Sequence, residues 1–331
     1  MMKHIPLILI FLFAANFAYG YTPNLIVAKD GSGDFTSIQA ALNAAPDSSG
    51  NLFVIFIKNG IYKEKLFIEK SSIALVGESR DSCRIIYAEL RKNWNAANNG
   101  EDYGSAVINL KDGVRDIIFR SLTVHNNYGG LYSDHDHQFA IRGRATRIII
   151  VDCNIIADGG DTLSLWNKED GMYYHKNCYF EGWVDFVCPR GWCYITDSRF
   201  YGHNMTAAIW HDGDSDKDQK LVIRNSYFDG RKGFPLGRHH REAQFYLLDC
   251  RFSNNMADKP IFQAPAKPPR VLEWGERNYF HNCHGDSVDY AWHADNLDEA
   301  AGSPKPEDIT PEWTFKGKWD PEAVLKNFYE N

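Results

Sequence analysis

Short hydrophobic runs recur along the chain, each followed by a small polar residue and, three positions later, by another apolar residue. The runs are rich in Ile, Val, Tyr and Phe and are punctuated by Gly and Asn, which is typical of short strands joined by turns. The polar and apolar members are Ser121/Val124, Asp152/Ile155, Asn177/Phe180, Asp197/Phe200, Asn225/Phe228 and Asp249/Phe252, at separations of 31, 25, 20, 28 and 24 residues. The pattern therefore predicts a series of repeated units, each built of several short strands.

A unit of this length cannot bury its apolar face alone, so neighbouring units must stack and share one core. This predicts an all-β solenoid, a single-stranded parallel β-helix. A β-sandwich or a propeller is the alternative, but hairpin turn pairs between alternating strands are scarce and propeller repeats are longer. Equivalent positions on adjacent coils of such a solenoid lie about 4.8 Å apart, so residues distant in sequence become neighbours.

The ends of a solenoid need covering because open strand edges invite aggregation. Residues Ser37 to Ala45 predict a short amphipathic helix over the first coil. The region from Pro304 to Asn331, in which Asp320-Pro321-Glu322 predicts a helix start, is expected to cover or flank the other end. No domain boundary is evident between them, so we predict one domain over residues 21–331.

The first residues have the features of a secretory signal. Lys3 and His4 precede an apolar run from Ile5 to Phe17, and Ala18-Tyr19-Gly20 has the small-x-small form of a cleavage site. A membrane anchor is the alternative, but the run is shorter than the roughly 20 residues that cross a bilayer. We therefore expect a signal peptide at residues 1–20 and a secreted or periplasmic protein with no membrane span.

Composition narrows the possible partners. The net charge of -7 and the absence of clustered Lys and Arg argue against nucleic acid, and 44% hydrophobic residues indicate a well-filled core. Of seven cysteines, Cys188 and Cys193 are close enough in sequence to bridge, while Cys153, Cys178 and Cys250 fit buried free thiols equally well. Without a repeated Cys-x-x-Cys we expect no structural zinc, and we expect a monomer.

Two aspartates occupy the same arc of consecutive units. Asp161 lies nine residues after Asp152, and Asp185 lies eight residues after Asn177. Two carboxylates about one strand spacing apart cannot both ionise easily, so one becomes an acid and the other a base. Aspartates in β-helix turns more often only bind backbone, so this pair alone leaves both interpretations open.

Five ordered segments resemble the pectin methylesterase family over most of the chain after residue 20. They are Asn59-Gly60-Ile61-Tyr62-Lys63-Glu64, His137-Gln138-Phe139-Ala140-Ile141-Arg142, Gly160-Asp161-Thr162-Leu163, Asp185-Phe186-Val187 and Leu236-Gly237-Arg238. The resemblance implies a right-handed parallel β-helix with short capping helices. It also implies an enzyme that hydrolyses the methyl esters of galacturonic acid units in pectin or a related polyuronate.

The family's roles fall on four residues of this chain. By resemblance, Asp185 is the nucleophile that attacks the ester carbonyl, and Asp161 is the acid for the leaving methanol and then the base for water. Arg238 resembles the arginine that orients the nucleophile, and Gln138 resembles the glutamine that stabilises the oxyanion. No metal and no organic cofactor is implied.

The sequence departs from the family around these positions. Gly160 stands where the family has a second glutamine, and Ser164, Cys188 and His240 stand where it has aromatic substrate contacts. These losses predict a wider, more polar cleft for a pectic polysaccharide or oligosaccharide. As substrate contacts we predict His240, Arg190, Trp192 and Trp210; His239, His211 and Asp212 are further candidates.

Two other functions remain compatible with the sequence. One is a polyuronate lyase on the same fold, for which Arg238 beside acidic residues would be suitable. The other is a pectin-binding protein without activity, which Gly160 favours. The ordered matches favour the esterase.

Overall fold

The predicted β-helix is confirmed by a computed structural model, which describes residues 21–47 and 51–330. The predicted signal peptide at residues 1–20 lies outside the described residues. Three parallel sheets form the walls of the solenoid, and each coil contributes in turn to all three. No helix in the described ranges is long and apolar enough to span a membrane.

The ten-stranded sheet runs the whole length of the solenoid and has the longest strands. Its strands alternate between side chains in the central core and side chains on the outer face, as the pleat requires. Numbered in chain order, they are β1 (Leu25–Val27), β2 (Phe53–Ile57), β5 (Ile73–Gly77), β8 (Arg115–Arg120), β11 (Thr146–Val151), β14 (Met172–Lys176), β17 (Trp192–Thr196), β20 (Leu221–Arg224), β23 (Phe245–Leu248) and β26 (Asn278–His281).

The nine-stranded sheet follows the ten-stranded sheet in each coil. Its inward side chains are large, so it supplies much of the aromatic core. Its strands are β3 (Gly60–Tyr62), β6 (Cys83–Tyr87), β9 (Thr123–Asn126), β12 (Asn154–Ala157), β15 (Tyr179–Gly182), β18 (Arg199–Gly202), β21 (Tyr227–Gly230), β24 (Arg251–Phe252) and β27 (His284–Gly285).

The eight-stranded sheet completes each coil and carries the aspartate pair at the start of its strands. Its strands are short, with two to five residues each. They are β4 (Leu66–Ile68), β7 (Ala106–Leu110), β10 (Phe139–Gly143), β13 (Leu163–Leu165), β16 (Val187–Pro189), β19 (Ile209–Trp210), β22 (Gly237–His239) and β25 (Phe262–Gln263).

The repeated polar residues form the corner between the ten-stranded and nine-stranded sheets. All six have left-handed backbone, with φ between 45° and 54°, a conformation that Asn and Asp tolerate better than most side chains. Along the corner their side chains bond from coil to coil: Asn225 Nδ2 donates to Asp197 Oδ1 at 2.5 Å, and Asn282 Nδ2 donates to Asp249 Oδ1 at 2.8 Å. This geometry explains the sequence repeat.

The apolar partners of the repeat stack inside the solenoid. The rings of Phe180, Phe200, Phe228 and Phe252 follow one another with centroid separations of 5.2, 4.3 and 5.7 Å. All four side chains are buried, so the stack is a continuous aromatic column in the later coils.

Within residues 21–47 and 51–330, five α-helices and three short 3₁₀ helices accompany the sheets. The α-helices are α1 (Ile38–Ala44), α2 (Arg91–Ala97), α3 (Tyr128–Tyr132), α4 (Pro311–Thr314) and α5 (Pro321–Glu330); the 3₁₀ helices span Ala291–His293, Leu297–Glu299 and Pro306–Asp308. As predicted, α1 covers the first coil: Ser37 accepts from the Ala40 amide as N-cap, and Ile38 and Leu42 are buried.

The C-terminal segment differs from the prediction. Helices α4 and α5 lie along the outer face of the ten-stranded sheet, where Phe328 stacks on Tyr21 at 4.9 Å and Tyr174 Oη donates to Glu322 at 3.1 Å. Trp292 covers the last coil instead, against Phe252 and Phe280. The outer face of this sheet is aromatic and needs burial along its length, which an end cap would not give.

All seven cysteines are buried free thiols, so Cys188 and Cys193 do not bridge. Cys188 lies in β16 on the eight-stranded sheet and Cys193 in β17 on the ten-stranded sheet, so the corner between the sheets separates them.

Candidate active site

The two aspartates occupy equivalent positions on neighbouring strands. Each stands two residues before a paired strand residue, Leu163 or Val187, which are partners in the ladder between β13 and β16. Both have left-handed backbone, with φ of 59° at Asp161 and 48° at Asp185. Equivalent residues of adjacent parallel strands are about 4.8 Å apart, so the carboxylates are close enough to interact.

Arg238 holds Asp185 in a bidentate ion pair. Its Nε donates to Oδ1 at 2.9 Å and its Nη2 donates to Oδ2 at 2.6 Å. The side chain of Arg238 is 26% exposed and that of Asp185 is 10% exposed, so the ion pair is largely buried but still reaches solvent. A planar guanidinium fixes the orientation of the carboxylate as well as its charge.

Burial dominates the acidity of both carboxyl groups. It raises the pKa of Asp185 to about 6, against the lowering effect of Arg238 and with a further rise from the charge of Asp161. Burial also raises the pKa of Asp161, opposed by the more distant charges of His137, Arg190 and Arg142. Of the two aspartates, only Asp185 has a guanidinium at ion-pair distance, and this contact favours its charged form.

His137 lies beside the pair and was not singled out by the sequence. Its Nε2 is 3.9 Å from Asp161 Oδ1, and its Nδ1 is 2.7 Å from Asp136 Oδ1. The ring is 40% exposed. The contact of Asp136 with Nδ1 orients the ring so that Nε2 is directed toward Asp161. The signal that could have found it is its position directly before Gln138.

Gly160 pairs with His137 in an isolated parallel bridge. A Cβ atom built on Gly160 would lie 2.6 Å from Val184 Cγ1 and 4.0 Å from the Cα of His137. Val184 therefore crowds the position from which the family's second glutamine would project.

Gln138 is fully buried beneath this group. Its Nε2 donates to the Asp134 carbonyl at 2.5 Å, and its Oε1 accepts from the Gly129 amide at 2.9 Å. Both ends of the amide thus hold the segment around α3. The sequence predicted that Gln138 stabilises the oxyanion, but this placement does not bring its amide to the surface where an oxyanion would form.

A stack of Trp166, Arg190 and Trp210 lies beside the aspartates. The Arg190 guanidinium is 3.3 Å from the centre of the Trp166 ring and 3.7 Å from that of Trp210. Ser164 Oγ accepts from Trp166 Nε1 at 2.7 Å and from Arg142 Nη1 at 3.1 Å. The indole and guanidinium therefore fill the space around the small Ser164, so the widening predicted from this position does not occur.

The stack alters the roles predicted for its members. Arg190 is 6% exposed and Trp210 only 3%, so neither presents a face to a sugar, whereas Trp166 is half-buried. His240 Nδ1 accepts from Trp210 Nε1 at 2.9 Å, and burial lowers the pKa of His240 to about 4. His240 is therefore neutral near pH 7 and offers a hydrogen bond, not a cation, to a substrate carboxylate.

Trp192 is not part of this group. It lies on the outer face of the ten-stranded sheet, buried beneath the C-terminal segment, with Lys318 Nζ 4.9 Å from its ring centre. Gly191, with φ of 81°, forms the corner between Arg190 and Trp192. These neighbours in sequence therefore lie on different sides of the solenoid. His239 is also buried, against Phe245 and the Arg241 carbonyl.

A cavity of about 500 Å³ adjoins the stack on the side of β7 and β10. Trp166, Arg142, Arg144 and Tyr103 line it, and Asp102 closes it by binding Arg142 Nη2 at 2.6 Å. Aromatic and charged side chains around a volume of this size are typical of a site for a small polar ligand.

Comparison with known proteins identifies relatives by amino-acid sequence. The family model for Pectinesterase matches residues 24–240. Putative pectinesterase 11 of Arabidopsis thaliana is 31% identical over 278 residues, covering 80% of this chain and 71% of that protein. Probable pectinesterase 56 of the same plant is 33% identical over 169 residues, so the match spans about half of each protein, 50% and 54%.

Solved structures share the fold. Pectin methylesterase from carrot superimposes with a TM-score of 0.71 at 21% identity, over 93% of this chain and 96% of that one. A pectin methylesterase in complex with a hexasaccharide gives a TM-score of 0.69 at 21% identity, over 91% and 98% of the two chains. The fold is thus their right-handed parallel β-helix.

The crowding at Gly160 generates a prediction about stability. Gly160→Ala should lower the free energy of unfolding by about 1–3 kcal/mol because the new methyl group overlaps Val184. Gly202→Ala is the matched control, since the nearest atom to its new Cβ is 3.4 Å away. Urea denaturation measures both; equal midpoints for the two variants would show that Val184 yields without cost.

Proposed function

The chain belongs to the pectinesterase family, and on that basis we propose that it hydrolyses the methyl esters of galacturonic acid units in pectin or a related polyuronate, releasing methanol. The observation that supports this most strongly is the register-matched pair of Asp161 and Asp185, with Arg238 bidentate on Asp185 alone. Family membership favours this function over the lyase and over a binding protein without activity.

The two carboxyl groups have different parts in the proposed reaction. Asp185 attacks the ester carbonyl carbon, a C–O bond forms, and the carbonyl electron pair moves to the oxygen. When the C=O bond re-forms, the methoxy oxygen leaves with the proton of Asp161 as methanol. Water then attacks the acyl-enzyme and gives a proton to Asp161, which releases the free uronate and restores Asp185.

The oxyanion needs a donor other than a second glutamine. We infer that His137 provides it, because its Nε2 lies beside the aspartate pair, 3.9 Å from Asp161 Oδ1, and this distance is too long for a direct hydrogen bond. Asp136 holds the ring at Nδ1, and Nε2 donates its N–H to the oxygen that becomes negative. The backbone of His137 pairs with that of Gly160, where the family's second glutamine is missing.

The substrate is a pectic polysaccharide or oligosaccharide whose sugars contact Trp166 and His240, the half-buried members of the rebuilt surface. A secreted or periplasmic location, as predicted from residues 1–20, would bring the enzyme to such a polymer. The roles of Arg190 and Trp210 are to support Trp166 and His240 from beneath.

Asp185→Asn should abolish methanol release from methylated pectin while the fold is kept, because an amide keeps hydrogen bonds but does not attack a carbonyl. Since the folded protein raises the pKa of Asp185 to about 6, its carboxyl contributes stability below pH 3.8 that is lost as pH rises through 6. The variant should therefore be at least as stable as the parent at pH 7 by thermal unfolding. Exposed Asp298→Asn is the control; methanol release within a few fold of the parent would rule out Asp185 as nucleophile.

His137→Ala should lower kcat about a hundredfold with little change in KM, the usual effect of losing one oxyanion donor. His137→Gln should recover much of this loss, and added imidazole should restore part of the activity of the alanine variant. His284→Ala is matched, since His284 Nδ1 is 2.9 Å from Asp289 and the ring is 45% exposed. If His137→Ala and His284→Ala have the same kcat, His137 does not act on the oxyanion.

Trp166→Ala should raise KM for methylated oligogalacturonates more than fivefold, since roughly a kcal/mol or more of sugar contact is lost with the ring. Trp192→Ala should leave KM unchanged and lower the free energy of unfolding by about 3–5 kcal/mol, because this tryptophan is buried under the C-terminal segment. Steady-state kinetics and urea denaturation separate the two effects. An equal rise of KM in both variants would contradict this assignment.

A further inference from the structure

A second cavity, of about 580 Å³, lies on a different wall of the solenoid from the aspartates. Its floor is the outer face of the ten-stranded sheet at β23 and β26, and its roof is α4 with the residues that follow. The volume is within the range of small-molecule sites. None of its lining residues belongs to the candidate active site.

The lining combines buried cations with aromatic rings. Lys220 and Arg277 are 5% and 7% exposed. Lys220 Nζ lies 4.3 Å from the ring centre of Trp313, which itself packs edge-on against Tyr246 at 5.2 Å. Tyr279 continues the aromatic wall, 4.9 Å from Tyr246. Lysine and arginine are almost never buried in this way without a compensating anion.

Arg277 has unused hydrogen-bonding capacity here. Its Nη1 donates to the Lys217 carbonyl at 2.6 Å and to Gln244 Oε1 at 3.0 Å. Its Nε and Nη2 have no partner among the described residues. A buried donor without a partner is costly, so two such atoms on one guanidinium indicate that an acceptor binds there.

The charges around the cavity favour an anion. Four cations line it against two acids; the cations are Lys217, Lys220, Arg277 and Lys316, and the acids are Asp218 and Glu312. Lys316 already binds Asp218. Lys220 and Arg277 form no salt bridge within the described residues, although Glu242, which does not line the cavity, attracts Arg277. This local excess stands out in a chain whose net charge is -7. Burial and neighbouring cations lower the pKa of Lys220 to about 8.

We propose that this cavity binds a uronate unit with a free carboxylate, such as the de-esterified product of the reaction. The carboxylate accepts from Arg277 and Lys220, and the apolar face of the sugar packs against Tyr279 and Trp313. A lining of aromatic rings and cations suits a sugar acid better than a small inorganic anion, because the inorganic anion would make no contact with the rings. The identification of the ligand as a product rests on the proposed function; the anion site itself does not.

Such a site would keep the enzyme on polymer that it has already processed. Binding at a second wall converts the next encounter with the same chain into an intramolecular event. A methyl ester removes the carboxylate charge, so the unprocessed substrate would not compete for the cavity.

Titration calorimetry with trigalacturonate tests the proposal. The parent should bind two molecules, and Lys220→Met should bind one, with methanol release from a short methylated substrate unchanged. Methionine keeps the packing on Trp313, and removing an unpaired buried charge does not endanger the fold. Arg277→Gln is the second variant and should weaken this binding at least tenfold; Arg251→Gln, on an exposed cation of the nine-stranded sheet, should change nothing.

Two further measurements decide the ligand. The fully methylated trimer should not bind at this cavity, and inorganic phosphate at equal concentration should not displace trigalacturonate from it. Displacement by phosphate, or identical binding by the parent and both variants, would overturn the proposal. Loss of methanol release in Asp185→Asn concerns only the proposed function, so the two can fail separately.

Discussion

Each coil of the solenoid passes its backbone hydrogen bonds to the next coil in one fixed parallel register, and the chemistry depends on that register. The pairing of Leu163 with Val187 places the two preceding aspartates side by side. A slip by one residue would turn every side chain of a strand to the opposite face. The buried aromatic column and the polar corner oppose such a slip, since both require the same coil-to-coil alignment.

The sequence was informative wherever a local rule repeats. Left-handed corners call for Asn or Asp, so the repeat and the β-helix could be predicted, and with them the alignment of Asp161 with Asp185. The contacts made by long side chains could not be predicted from the sequence. Trp166 lies over Ser164, and Gly191 turns the chain so that Trp192 lies on another sheet. Both depend on side-chain packing, which the spacing of residues along the sequence does not show. The course of the C-terminal segment depends on contacts 148 residues apart.

Buried charge is handled differently on the two walls. At the aspartate pair, each charge has a fixed partner or a neighbour that moderates it, and Arg190 is enclosed by two indoles. In the cavity under α4, Arg277 lacks partners for two of its nitrogens. The first arrangement suits the reaction proposed for the aspartate pair, whereas the second leaves donors for the anion proposed to bind there.

The course of the C-terminal segment also bears on how the protein is made. Coils can stack in the order in which they leave the ribosome, but the outer face at Tyr174 is covered by Glu322 and its helix, 148 residues later. At synthesis rates of roughly 5–20 residues per second, that delay is on the order of ten seconds. During this delay, a strip of tyrosines and tryptophans on the growing chain stays exposed to solvent. A chain that folds in this order therefore offers an aromatic surface to chaperones before the C-terminal helix covers it.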